Sequence, residues 1–226
     1  MQYQSKLVYN KQMNTNTNYY LLLIDIISST QLANVEFNSK MDLLEGYLKD
    51  INKRLKSNLV LPISISYGDE IAGLFYTPEN IYKIVAEIRK IFYPLTSIRF
   101  VVVKGLIAKN SSDIRQIGGM IFKTANQTID ILKKNNHFCS WKLENLLINK
   151  TLESLCEIGN VLLKEMSEYQ RNVFELFRQG HTQIEIALTL DKHPQAIWAA
   201  IQRSKAVYLI DAEQTINLIL ENITQK

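Results

Sequence analysis

The sequence predicts an α+β chain, with a sheet-forming N-terminal part and an all-α tail. Three observations carry this. Residues 19–27, YYLLLIDII, are almost continuously apolar, as in a strand covered on both faces. Strand-like and helix-like patterns then alternate as far as about residue 143. From about residue 144 onward no strand pattern remains.

Each element has its own signal. Residues 1–18 are rich in Asn, Gln, Thr and Lys, which predicts a flexible leading segment. After the first strand, residues 28–57 read as helical: Leu43, Leu44, Tyr47, Leu48, Ile51 and Leu55 recur at one-turn spacing between Lys and Asp. LPISISYGDEIAGLFYT (61–77) alternates around Gly68-Asp69, the pattern of a tight antiparallel hairpin. Residues 78–93 return to helical period, with Pro78 at the first helical position. SIRFVVVKGLIA (97–108) is a second strong strand, followed by a polar stretch at 109–117. A helix entered through a Gly pair (118–134) and a short strand (137–143) close the series. The order βαββαβ, then αβ, places helices against one face of a mainly antiparallel sheet, in the ferredoxin-like manner. The resulting division is a sheet domain over 19–145, a linking helix over 146–166 and a helical domain over 167–226.

Composition bounds the function without naming it. The chain has 226 residues, 46% hydrophobic and 21% charged, ordinary values for a globular protein. Its net charge of +4 is unevenly spread. Residues 1–166 carry 20 Lys/Arg against 15 Asp/Glu, whereas the tail carries 6 against 7. No polybasic block is present, so composition gives no warrant for nucleic acid or anionic lipid. Cys139 and Cys156 lie without CxxC spacing and read as buried free thiols of a reducing compartment. No apolar leader and no run long enough to span a bilayer is visible, which predicts a cytoplasmic protein without a membrane partner. Three histidines without spaced partners make no zinc site, and His181 and His193 read as turn and cap residues.

The chemistry concentrates at two places. In a ferredoxin-like sheet the first strand neighbours the central hairpin, so Asp25 and Asp69 can point into one space. Two adjacent carboxylates repel unless a cation lies between them, and Mg²⁺ (or Mn²⁺) suits such a pair when phosphate oxygens complete its shell. Ser28, Ser29 and Thr30 follow at a helix start, whose free N–H groups and hydroxyls make a phosphate cradle. Glu70 offers a third oxygen, and Lys104 and Arg115 are further cations within reach of a phosphate. The opposite reading, an ordinary Gly-Asp turn and an ordinary helix start, uses the same residues.

LLLIDIISSTQLAN resembles the Asp-Ile-x-x-Ser-Thr motif of class III nucleotidyl cyclases, and SYGDEIAGLF resembles that family's Gly-Asp hairpin. IRFVVVKGLI and IGGMIFKTANQTIDIL match its next strand and Gly-initiated helix, so the resemblance covers roughly 19–135. It implies metal carboxylates at Asp25 and Asp69, a backbone carbonyl from Ile26, and phosphate contacts from Ser29 and Thr30. The departures bear on activity. The cyclase purine-selecting lysine aligns with Ile65, and the paired Asn and Arg of the catalytic helix align with Lys123 and Gln127. Without a guanidinium at the developing charge a phosphoryl-transfer enzyme lacks its main electrostatic term, and Lys123 replaces it only in part. The chain is more closely similar to the SatD-like family, which combines a cyclase-like first domain having altered catalytic positions with a C-terminal helix-turn-helix.

The tail carries the second motif. Ser167 with Gln170 and Thr182 with Glu185 form two capping boxes, Gly180 ends the first helix, and Pro194 opens the third. Two capped helices, a short turn and an amphipathic third helix make a helix-turn-helix. TQIEIALTL is similar to the Thr-Gln-x-Glu-Ile-Ala stretch of LuxR-type and sigma-region-four regulators. Gln195, Trp198, Gln202 and Arg203 form the outward face of its third helix, flanked by Lys192 and Lys205. Gln and Arg suit base edges, while the tail's net charge of −1 and the large Trp198 suit a protein interface. The expectation is a homodimeric regulator that binds a nucleotide or other phosphate ligand and uses its tail on DNA or a partner. An active Mg-dependent nucleotidyltransferase, cyclase or nucleotide hydrolase, and a ligand-free oligomerisation module, are the alternatives.

Overall fold

The structure, a computed structural model, describes residues 13–27, 35–66 and 70–224. Its sheet is built around β1 (Tyr19–Ile26), whose eight residues are all buried. Between β1 and the next strands lies α1 (Val35–Arg54), followed by β2 (Leu59–Ile65) and β3 (Glu70–Phe75). Then come α2 (Ile81–Phe92), β4 (Ile98–Gly105), the short α3 (Ile114–Ile117), α4 (Met120–Asn135) and β5 (Cys139–Lys142). Strand order is β2-β3-β1-β4-β5. β1 runs antiparallel to both β3 and β4, β2 antiparallel to β3, and β5 parallel to β4.

Helices cover both faces of this sheet, which corrects the expected one-sided arrangement. Even-numbered residues of β1, Tyr20 to Ile26, pack with Leu44 and Leu48 of α1 and with the apolar side of α2. Odd-numbered residues, Tyr19 to Leu23, pack with Ile121, Ala125 and Ile129 of α4 and with Ile114 of α3. The unbroken apolar run of β1 has this cause: alternate side chains enter different cores, and neither face meets water.

Several boundaries differ from expectation. α2 starts at Ile81 with Asn80 at its N-cap, so Pro78 precedes the helix rather than opening it. The polar stretch 109–117 contains α3, whose first turn is capped by Asp113 accepting from the Arg115 amide. The Gly pair before α4 is required by the backbone, since Gly118 and Gly119 have φ of 56° and 102°. A Cβ on Gly119 would also stand 2.8 Å from the Ala108 nitrogen.

The linking helix expected over 146–166 is present and also packs into the sheet's core. α5 (Leu146–Glu165) buries Leu152 and Cys156 in the same cluster as α1 and α2. Cys139 and Cys156 are free and buried. Beyond α5 lie α6 (Glu168–Arg178), α7 (Gln183–Leu190), α8 (Pro194–Arg203) and α9 (Ala206–Thr224). Both capping boxes form, at Ser167/Gln170 and Thr182/Glu185. Gly180 takes φ 92°, and Asp191 turns the chain from α7 to α8 in the left-handed region. A third cluster, including Val173, Phe174, Ile186, Ile197 and Ile201, holds α6 to α8 together. α9 joins the two halves: Ala206 and Leu209 belong to this tail cluster, Ile216 and Leu220 to the sheet cluster. No helix of the described residues is long and apolar enough to cross a membrane.

Candidate functional site

At the end of β1, Asp25 turns its side chain to the α4 face and is 4% exposed. Strand register puts Arg99 of β4 directly opposite on one side and Glu70 of β3 on the other. Arg99 Nη1 donates to Asp25 Oδ2 at 3.1 Å, and Lys133 Nζ, in the last turn of α4, pairs with Oδ1 at 2.8 Å. Both carboxylate oxygens are therefore engaged by cations. A buried carboxylate needs such neutralisation, because desolvation costs more than one ordinary hydrogen bond returns.

This arrangement bears on a metal. A divalent ion at Asp25 would take an oxygen now held by Arg99 or Lys133 and would meet two positive charges at the site. No group of three His, Cys, Asp or Glu residues gathers around a common point among the described residues. As described, the donors at Asp25 do not fit a resident Mg²⁺. Asp69, Ser28, Ser29 and Thr30 lie outside the described residues. Ile26 ends β1 opposite Ile98, with its side chain in the α1/α2 core.

The other cations expected near a phosphate lie elsewhere. Ile121 at the start of α4 packs against Gly105, which faces Tyr19 at the opposite end of β1 from Asp25. Lys123 belongs to that far end, about 15 Å of helix from Lys133 at 1.5 Å rise per residue. Lys123 and Gln127 are exposed, and the structure does not bring either to Asp25. Lys104 pairs with Glu144 at 2.8 Å and lies over the Tyr20 ring. Arg115 forks onto the Asp113 carboxylate within α3.

In the tail, α8 turns Ile197, Ala200 and Ile201 inward and leaves Gln195, Trp198, Gln202 and Arg203 exposed. Trp198 is 53% exposed despite its large apolar surface. Lys192, Arg203 and Lys205 border this face, and none forms an ion pair among the described residues. Four of the tail's seven acids are engaged away from this face, whereas Asp191 is exposed beside Lys192. Glu175 and Glu213 are tied to arginines, Glu221 pairs with Lys83, and Glu185 is held in its capping box. The tail's net charge of −1 thus still leaves Lys192, Arg203 and Lys205 along this face without ion-pair partners among the described residues.

Sequence reasoning missed the junction between sheet and tail. Arg89 of α2 pairs with Glu213 of α9 at 3.3 Å, and Arg178 of α6 reaches Glu87, Glu175 and Glu213. Burial pushes the Glu213 carboxyl up, against the pull of Arg89 and Arg178. Arg171 of α6 stacks on the Tyr93 ring at 4.3 Å. Glu213 lies 124 residues from Arg89 and Glu87 lies 91 residues from Arg178, so no local pattern announces these two pairs.

No curated protein matches the chain closely enough to lend it an activity. A family model does match, over residues 19–219, spanning the sheet, the junction and nearly all of the tail. The chain belongs to the SatD family.

Proposed function

We propose that this protein is a DNA-binding regulator, a helix-turn-helix carried on a ferredoxin-like sheet domain of cyclase type. The observation that carries the reading is the outer face of α8. Gln195, Trp198, Gln202 and Arg203 are open to solvent, bordered by cations with no carboxylate partners, while the sheet domain packs elsewhere. Long amide and guanidinium side chains on one helix face suit base edges in a major groove, and unpaired cations suit the phosphates beside it. The strand order β2-β3-β1-β4, antiparallel throughout, supports the ferredoxin-like reading of the first part.

The test is fluorescence anisotropy with a random duplex, comparing the natural chain with an Arg203→Glu/Lys205→Glu variant. Binding that weakens with salt, and is lost in the variant at unchanged melting temperature, is the expected result. Equal binding by both proteins overturns the proposal. Deleting the whole tail is no substitute, because α9 contributes Ile216 and Leu220 to the sheet's core.

A second reading, a nucleotide held by its phosphates at the Asp25 end, is favoured by the two cations Arg99 and Lys133 that gather there. A panel of nucleoside triphosphates, each with and without Mg²⁺, tests it by thermal shift. A rise that needs both components supports a metal–phosphate site, and turnover of labelled ATP or GTP would make it an enzyme.

A further inference from the structure

Between the C-terminal end of α2 and the helices α6 and α7 lies a cleft of about 460 Å³. Among its lining residues are Tyr93 and the buried Arg171, the apolar Leu176 and Leu190, and the exposed Lys90 and Asn172. We propose that this cleft binds a small molecule bearing one anionic group, a phosphate or a carboxylate, with Arg171 as the counter-ion.

The argument begins with charge. Lys90, Arg89 and Arg178 are matched at the junction by Glu87, Glu175 and Glu213. Arg171 is left over. It is 7% exposed, and no carboxylate pairs with it among the described residues. Glu175, the carboxylate on the same wall, is already shared by Lys90 at 3.5 Å and Arg178 at 2.8 Å. The Tyr93 ring supports the guanidinium from one side, but a ring quadrupole compensates a desolvated cation only in part. Burial, with the nearby Arg89 charge, draws the Arg171 guanidinium below its usual range, even though Glu175 and a hydrogen bond with Tyr93 pull the other way. Arg89 shares the deficit, since its Nη1 is buried without a hydrogen-bond partner.

An anionic group suits this deficit. A guanidinium offers two parallel donors to the oxygens of a phosphate or carboxylate, and the interaction is strongest where water is excluded. The cleft has the size of a small-molecule site and combines apolar walls with few polar groups, the usual makeup of one. One unmatched positive charge calls for one anionic group rather than a polyanion, because Glu175 repels any second charge. The walls come from α2 on the sheet side and α6 and α7 on the tail side, so an occupant braces one against the other. Its influence on DNA binding rests on the function proposed above; the binding itself does not.

Isothermal titration of the full chain with phenyl phosphate and with benzoate, using benzyl alcohol as the neutral comparison, tests the proposal without DNA. We expect both acids to bind at one site per chain and the alcohol to bind far more weakly. Arg171→Met should weaken the acids by about tenfold or more, while melting no lower than the natural chain, because a buried unpaired charge has gone. Asn172→Trp, an exposed substitution that fills the cleft, should abolish binding, and Lys133→Ala should leave it intact. Acids no tighter than the alcohol, undiminished binding in Asn172→Trp or Arg171→Met, or loss in Lys133→Ala, would each overturn it. If only phenyl phosphate binds, the natural group is a phosphate; if only benzoate, a carboxylate.

Discussion

Asp25 shows how one residue can carry opposite meanings. A carboxylate at the end of a buried strand must be neutralised, and either a metal ion or protein cations can do this. Here Arg99 and Lys133 do it, with Asp25 and Arg99 each almost wholly enclosed. Asp25→Asn should therefore destabilise the fold by about 3 kcal/mol, since it leaves the Arg99 charge buried without a counter-charge. Lys133→Ala should cost less than about 1 kcal/mol, because the lysine is 43% exposed and its pairing is screened by water. Urea denaturation of the two variants gives the comparison. Equal losses, or an Asp25→Asn protein as stable as the natural one, would show that the carboxylate is held for something other than the fold.

At the scale of elements, the edge strand β5 is secured by a helix rather than by another strand. Its outward amides are taken by side chains of α5. Glu157 accepts from the Phe138 amide at 2.7 Å, and Glu153 from the Trp141 amide at 3.2 Å and the Ser140 hydroxyl at 2.7 Å. This satisfies donors that would otherwise template another chain. Partial burial pushes the Glu153 carboxyl up, but Lys150, Ser140 and the Trp141 amide together bring it below the usual 4.5. A depressed folded value contributes stability that is present above pH 4.5 and is lost as pH falls through the folded value. Glu153→Gln should lower stability near neutrality and change it little at pH 3, where the natural carboxyl is itself protonated, so that the acid limb flattens, as read from urea midpoints between pH 3 and 7. An acid limb as steep as that of the natural chain would refute this account. The same elements show what the sequence could disclose. Strands and amphipathic helices were legible because periodicity is local, and both capping boxes were legible because four residues define each. Helices on both faces were already implied by the unbroken run of β1, whose alternate residues needed two partners. The carboxylates that cover β5 were not legible, since a Glu in a helix looks the same whether it faces water or a strand edge. The candidate site divided similarly. The outer face of α8 followed from spacing, whereas the cations around Asp25 depend on strand register and on where α4 lies across it.

For the whole molecule, the informative error concerns where one part ends and the next begins. The absence of strand signals after about residue 143 suggested a linking helix over 146–166 and then a helix-turn-helix domain over 167–226. α5 and α9 return to the sheet and cover it, and the junction charges on Arg89, Arg178, Glu175 and Glu213 lock α2 against α6 and α9. Side chains of α9 serve two cores, Ala206 and Leu209 in one and Ile216 and Leu220 about two turns further on in the other, so neither core is complete without the helix. One cooperative unit follows from this construction. Scanning calorimetry should show a single transition whose calorimetric and van't Hoff enthalpies agree. Leu220→Ala, made in the sheet core, and Ile201→Ala, made in the tail core, should each lower that one transition by about 2–4 kcal/mol of stability. Two resolved transitions, with Ile201→Ala moving one and Leu220→Ala the other, would mean that α9 is a hinge.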